Sequence, residues 1–168
     1  NGHRALAVRC DVADQDEVDA AVGKSVAEFG GIDVLLNNAG KHLTKYNQPF
    51  TVLPRHEVKA LFDVNVHGIV NCTVACRESM AGRGGGSVVN ISSIAGYMTS
   101  TPYGVSKLAV RGLTIAFASE LAPDNIRVNA IAPGLMGTEA ALDDLPTAMI
   151  DEFVGKLQLV HRLGVMDD

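Results

Sequence analysis

Apolar positions along this chain fall into short continuous runs, separated by longer stretches in which they recur every three or four residues. RALAVRC (4–10) has β character. In DQDEVDAAVGKSVAEFG (14–30), Val18, Ala21, Val22, Val26 and Phe29 form one helical stripe, opened by an Asp14/Glu17 capping box and stopped by Gly30. IDVLL (32–36) is apolar except at Asp33, the pattern of a strand buried on both faces. A polar loop (37–54) follows, and then Val58, Leu61, Phe62, Ile69 and Val74 mark a long helix over 55–81. SVVNIS (87–92) reads as a strand, and 102–122 as a helix with Pro102 in its first turn and Pro123 beyond its end. IRVNAIA (126–132) is a further strand, and a last helix is expected at about 143–160.

Strand and helix alternate with short connections, which predicts right-handed βαβ crossovers and a parallel sheet, an α/β fold. No internal repeat or low-complexity linker interrupts it. Ligands of open sheets of this kind bind beyond the carboxyl ends of the strands. Chemistry is therefore expected in loops 11–13, 37–54, 92–102 and 132–142.

Composition narrows the class. The 168 residues suit one domain, and 47% hydrophobic residues supply a core rather than a disordered chain. A net charge of -5 and a pI near 5.5 argue against nucleic acid or an anionic membrane surface as partner. No apolar run reaches the roughly 18 residues needed to span a bilayer, and NGHRALAVRC does not read as a signal peptide. Cys10, Cys72 and Cys76 form no disulfide framework, so a reducing, cytoplasmic location is expected. Cys72 and Cys76 can share a helix face, five residues beyond His67. Their setting, IVNCTVAC, is apolar, so we read them as packing residues and expect no metal.

Taken singly, the loop motifs are ordinary. NNAG (37–40) is as readily a polar turn as a ligand loop. Tyr103 and Lys107 of YGVSK stand at i and i+4 on one helix face, a spacing common to surface pairs. Serines such as Ser92 and Ser93 often end strands, and the Pro-Gly of NAIAPG (129–134) is usual punctuation.

Together and in this order, NNAG, DVNVHG (63–68), NISS (90–93), YGVSK (103–107) and IRVNAIAPG (126–134) resemble the short-chain dehydrogenase/reductase family, from CDVAD (10–14) to HRLG (161–164). The resemblance implies a Rossmann-like, doubly wound, three-layer α/β/α fold and an NAD(P)-dependent enzyme interconverting a secondary alcohol and a ketone. Carried over, Tyr103 is the general acid/base, and Lys107 lowers its pKa and holds the nicotinamide ribose. Ser93 steadies the substrate oxygen, and Asn65 supports a water in a proton relay. Asp11 and Val12 flank the adenine, while Asn38, Ala39 and Gly40 line the cofactor. Ile91, Pro133, Gly134 and Thr138 border the nicotinamide. The cofactor is NAD or NADP. The segment YGVSKLAVRGLTIAFASELAPDNIRVNAIAPG is most similar to members acting on hydroxysteroids, 3-oxoacyl chains or related apolar carbonyls. A homodimer or homotetramer through helices 55–81 and 102–122 is also implied, with Ala109, Leu113, Phe117 and Leu121 as apolar positions beyond one sheet-facing stripe.

Physics supports the proton chemistry independently. A free tyrosine titrates near ~10, so its phenolate is scarce at neutral pH. A nearby lysine cation favours the phenolate by up to ~4 kcal/mol at close range and an effective dielectric of about 20. That shift would bring the phenol toward the working pH of a general acid/base.

The chain departs from the family in two places. The usual opening strand, Gly-rich turn and phosphate-seating helix are absent, as is the second strand, whose end decides between NAD and NADP. GRGGGS (82–87) runs from helix to strand, the wrong order for a phosphate loop, and reads as a connector. Strand 4–10 would be the third of the family sheet, separated from 32–36 by the two that are absent. The chain is therefore expected to be a single partial Rossmann-like domain (1–168) of a longer protein. Second, Ser93 precedes Tyr103 by about three residues fewer than the resemblance implies, which leaves Ser92 as an alternative hydroxyl. A non-catalytic binding or regulatory protein is the rival reading; a flavodoxin-like fold would explain the alternation but none of the motifs.

Overall fold

Asp14 opens the first helix by accepting from the Glu17 N–H (3.1 Å), and Gly30 closes it with a left-handed φ of 82°. This is α1 (Gln15–Phe29) in a computed structural model of the chain, which describes residues 3–137, 145–165 and 167. The Glu17 carboxylate accepts from the Asp11 N–H (2.8 Å), so the capping pair also braces the 11–14 turn.

Three strands form one parallel sheet in the order β1 (Val34–Asn37), β2 (Gly86–Ile91), β3 (Ile126–Ile131). Between β1 and β2 lie α2 (Leu43–Tyr46), α3 (Arg55–Phe62) and α4 (Gly68–Gly82). A short α5 (Ala95–Met98) and the long α6 (Pro102–Leu121) join β2 to β3, and α7 (Thr147–Glu152) follows. Thr101 caps α6 by accepting from the Gly104 N–H (3.2 Å), and Pro102 occupies the first turn as predicted.

The period-two alternation of the strands sends Leu35, Val88 and Val128 to one face, where they meet Ile69 and Met80 of α4 and Val110, Phe117 and Leu121 of α6. Val22 of α1 packs against the same cluster. Burying each of these larger side chains is worth about 1.5–3 kcal/mol, so this face holds the main core. Asn125 turns the chain into β3 with φ 57°, and its side chain donates to Gly84 O (2.8 Å). A Cβ on Gly85 would collide with the Asn125 carbonyl, so GRGGGS is a packed helix-to-strand connector, as its order predicts.

Four expectations need correction. Residues 4–10 form no strand or helix, and the segment is held by the ion pair of Arg4 with Glu28 and by the Arg4 guanidinium over the Phe29 ring. A strand needs a hydrogen-bonding neighbour, and none of the described strands pairs with this segment. The strand at 32–36 is not buried on both faces: Val34 is 65% and Leu36 57% exposed, because α1, α4 and α6 all contribute to the core on the opposite face. The helix expected over 55–81 is interrupted by a π-helical turn, Asp63–His67, closed by the Gly68 N–H on Asp63 O. Finally, Phe117 and Leu121 belong to the core and Leu113 packs against it, while the outward apolar residues of α6 are Leu108 and Ile115. Residues 143 and 144 of the last expected helix lie outside the described residues, and α7 continues into a π-helical turn over Phe153–Leu157.

Candidate active site

At the carboxyl ends of the strands the covered face turns polar. In the parallel register Asn37 stands opposite Asn90, and its amide donates to Asn90 Oδ1 (2.8 Å) and Thr73 Oγ1 (3.3 Å). Asn90 in turn donates to Thr114 Oγ1 (3.0 Å). Asn37, Asn90 and Thr73 are buried, so this ladder ties β1, β2, α4 and α6 together immediately below the site. Asn37 opens NNAG and Asn90 opens NISS, but their pairing is invisible in the sequence, because strand register is not written there.

A cavity of about 210 Å³ opens above the ladder, lined by Asn38, Gly40, Ser93, Tyr103, Lys107 and Gly134. Lys41, His42, Ile91, Ser92 and Pro133 complete its wall. Lys107 is only 7% exposed; its ammonium donates to Ile91 O (2.8 Å) and lies 5.7 Å from the Tyr103 ring centroid. Burial pushes its pKa down from 10.5 to about 8. The NNAG loop lies close to both: a Cβ on Gly40 would stand in van der Waals contact with Asn65 Oδ1 (3.4 Å) and Lys107 Nζ (3.8 Å).

Tyr103 rests on a satellite core of Tyr46, Leu53 and Leu61, with Val58 and Phe62 beside it. Tyr46 and Leu53 come from the loop 37–54 and were missed in the sequence, where the apolar residues of HLTKYNQPFTVLP (42–54) follow neither a helical nor a strand period. Contrary to expectation, the Tyr103 phenol is shifted up rather than down. Burial is the larger cause, and a side-chain hydrogen bond with Ser93 opposes it. Lys107 spends its short contact on the Ile91 carbonyl, so its charge does not dominate the phenol.

The two serines separate. Ser92 is buried and donates to Lys107 O (2.9 Å), so its hydroxyl is committed to the backbone of α6. Ser93 lines the cavity beside Tyr103. The short span between them is accommodated by α5 lying directly on α6. A Cβ on Gly96 would fall 2.8 Å from the Lys107 carbonyl carbon, and one on Gly104 2.9 Å from Ala95 O. Gly96→Ala is therefore expected to destabilise the protein by roughly 1–3 kcal/mol or more, because backbone rather than a side chain must move. A urea midpoint equal to that of the parent would show that α5 does not pack this closely.

Asn65 lies in the π-helical turn, a distortion frequent at functional sites. It is fully buried; its Oδ1 accepts from the Lys41 N–H (2.8 Å) and its amide donates to Ser106 Oγ (3.1 Å). Ser106 then donates to Tyr103 O (2.7 Å), so Asn65 braces both the NNAG loop and the first turn of α6 from behind the cavity.

The remaining sequence candidates lie elsewhere. Asp11 and Val12 do not line the cavity. Val12 O accepts from Asn71 (3.0 Å), and its side chain packs on Gly68, where a Cβ would lie 2.7 Å from Val12 Cγ2. Ala39 is exposed between two lining residues. Thr138 lies outside the described residues. Among the described residues, no group of three His, Cys, Asp or Glu side chains is placed to hold a metal. Burial pushes the Cys72 and Cys76 thiols up to about 11, consistent with packing roles.

A second, more apolar cavity of about 460 Å³ adjoins the first, sharing Gly134 and lined by Ile94, Met136, Leu159 and Val160.

This geometry matches a known class. The family model of short chain dehydrogenases matches residues 1–147, and the chain belongs to that family. It is 40% identical over 164 residues to an uncharacterized oxidoreductase of Mycobacterium tuberculosis, covering 98% of this chain and 66% of the relative. A 7α-hydroxysteroid dehydrogenase complexed with NADH and 7-oxo glycochenodeoxycholic acid superimposes with a TM-score of 0.87 at 30% identity, over 98% of this chain and 64% of that one. A gluconate 5-dehydrogenase from Burkholderia cenocepacia, in complex with NADP and tartrate, gives a TM-score of 0.81 at 33% identity, over 94% and 62%. The chain thus spans slightly less than two thirds of the length of these proteins.

Proposed function

We propose that the protein carrying this chain is an NAD- or NADP-dependent oxidoreductase interconverting a secondary alcohol and a ketone. The observation that carries the reading is the convergence of Ser93, Tyr103 and a buried, single-carbonyl-bound Lys107 on one cavity at the carboxyl end of a parallel sheet.

The residues present fit the reactive end of such a cofactor. Gly40 and Gly134 line the cavity with backbone alone, and Lys107 brings a cation with donor capacity beyond its one carbonyl. At about 210 Å³ the cavity is below the 300–1,000 Å³ of a typical whole-ligand site, so it suits the nicotinamide and its ribose rather than a complete dinucleotide. Bound there, the nicotinamide would exchange a hydride with the carbinol carbon.

The chain's own residues would manage the oxygen. Ser93 donates a hydrogen bond to it. Tyr103 gives its proton to the ketone oxygen in reduction and, as phenolate, takes the alcohol proton in oxidation. Lys107 orients the ribose hydroxyls and supplies positive charge. Asn65 acts by holding Lys41 and Ser106, in line with a role in proton delivery from behind the cavity. Asp11 and Val12 remain the candidates for the adenine end, and Ala39 and Thr138 for further cofactor contacts.

The cavity of about 460 Å³ that shares Gly134 with the first is lined by Ile94, Met136, Leu159 and Val160, with Gln158 and Arg162 as its polar members. It favours a substrate with a hydrophobic body, such as a hydroxysteroid or a 3-oxoacyl chain. A cytoplasmic enzyme is consistent with the three free thiols. Assembly of a dimer or tetramer through helices 55–81 and 102–122 is consistent with the exposed Val74, Leu108 and Ile115, which a second copy would cover. The test is a panel of apolar and polar secondary alcohols and ketones with each nicotinamide, followed at 340 nm. Turnover of apolar carbonyls with one nicotinamide is expected; inertness on the whole panel with both would overturn the proposal.

A further inference from the structure

α5 is a single turn directly beyond Ser93, whose backbone is tied on both sides to the end of β3 and the segment after it. The Ser92 N–H donates to Ile131 O (2.8 Å) and the Ile94 N–H to Pro133 O (3.1 Å), which leaves α5 to orient the hydroxyl. Ser93 precedes its N-cap, Ile94, and holds its start: the Ala95 N–H donates to Ser93 Oγ (3.2 Å) and the Gly96 N–H to Ser93 O (3.0 Å). A four-residue helix has no cooperative stability of its own, so something outside it must hold it. At its other end, Arg111 of α6 donates through Nη1 to Gly96 O (3.1 Å) and lays its guanidinium 3.7 Å from the centroid of the Tyr97 ring. The Tyr97 ring is otherwise largely in solvent, 64% exposed. The guanidinium thus satisfies a carbonyl at a helix end and stacks on an aromatic face in one placement, which a lysine ammonium does less well.

We infer that Arg111 is a positioning residue for the reaction: by clamping Gly96 O and the Tyr97 ring it fixes α5, and through α5 the Ser93 hydroxyl that faces Tyr103. The inference rests on the proposed oxidoreductase reading. The clamp acts on the free end of a short Ser93–Tyr103 span whose start is anchored by the Ile94 N–H on Pro133 O (3.1 Å). The turn must lie flat on α6, where Gly96 and Gly104 allow contact but contribute no side chain to hold it.

Two measurements test this. The first needs no turnover: amide exchange at Gly96, Tyr97 and Thr99, whose N–H groups close α5 on Ser93, Ile94 and Ala95 carbonyls. Arg111→Met is expected to speed these amides about tenfold or more while Val110 in α6 stays protected, since local opening is governed by local contacts. Unchanged exchange in α5 would overturn the clamp.

The second is a double-mutant cycle in the active enzyme. Arg111→Met is expected to lower kcat about tenfold with little change in the apparent KM for the nicotinamide, and Arg111→Lys to restore part of it. In a Ser93→Ala background the same substitution is expected to cost nothing further, because its route to the substrate is gone. Multiplicative losses would overturn the route through Ser93. A parent protein inert on every alcohol and ketone would sink the oxidoreductase reading instead, and the clamp would then stand or fall on the exchange result alone.

Discussion

Tyr103→Phe is expected to reduce kcat by about 10²–10⁴-fold, the range that a positioned general acid/base contributes, while the affinity for the nicotinamide stays within about twofold. Only the hydroxyl is removed, and the ring that packs on Tyr46, Leu53 and Leu61 is retained, so the urea midpoint should hardly move. The pH dependence has a definite sign. Burial raises the phenol pKa, so Tyr103 is neutral at pH 7 and ready to give a proton to a ketone. Alcohol oxidation needs the phenolate and is expected to quicken as pH rises above neutrality; this limb should vanish in Tyr103→Phe. Retained turnover in the variant would remove Tyr103 from the mechanism, leaving the family fold without this chemistry.

Lys107→Met is expected to do two opposite things: abolish measurable turnover and stabilise the fold by about 2 kcal/mol at pH 7. The stabilisation follows from linkage. The Lys107 pKa is about 8 in the folded chain against 10.5 as a free side chain, a difference of 2.5, worth about 3 kcal/mol at 1.36 kcal/mol per unit. At pH 7 both states carry the proton and the whole penalty is present. Between about pH 8 and 10.5 the unfolded chain holds more protons than the folded one, so this lysine's contribution to stability rises with pH. Losing the hydrogen bond to Ile91 O offsets about 1 kcal/mol of the gain. Urea midpoints of parent and variant should therefore differ most at or below pH 7 and converge toward pH 10. A variant less stable than the parent at pH 7 would mean that Lys107 is held by interactions stronger than one carbonyl.

Much of this was legible from residue order. Three of the predicted strand runs form strands at nearly their expected bounds, because continuous Val, Ile and Leu between turn residues has few other solutions in water. The capped helix at α1 and the Pro102 start of α6 were local in cause and hence local in signal. Tyr103 and Lys107 at i and i+4 had to share a helix face. What failed were statements about neighbours. The run 4–10 carries β propensity but has no partner strand, and IDVLL is apolar on a face that no described helix covers. The π-helical turn at Asn65 replaced a regular helix because its extra residue is settled by packing against Val12, Lys41 and Ser106, not by propensity.

The sequence alone determined the parallel α/β arrangement, the family, and a short roster of polar residues at the ends of strands, since periodicity and turn chemistry act over a few residues. Only the tertiary structure separated Ser92, whose hydroxyl is bound to the backbone of α6, from Ser93, whose hydroxyl meets Tyr103. It alone paired Asn37 with Asn90, set Tyr46 and Leu53 beneath the phenol, and brought Arg111 onto α5. These contacts join residues 10 to 57 positions apart. Strand register and helix-on-helix approach decide them, and a one-residue slip would undo each without changing any local pattern.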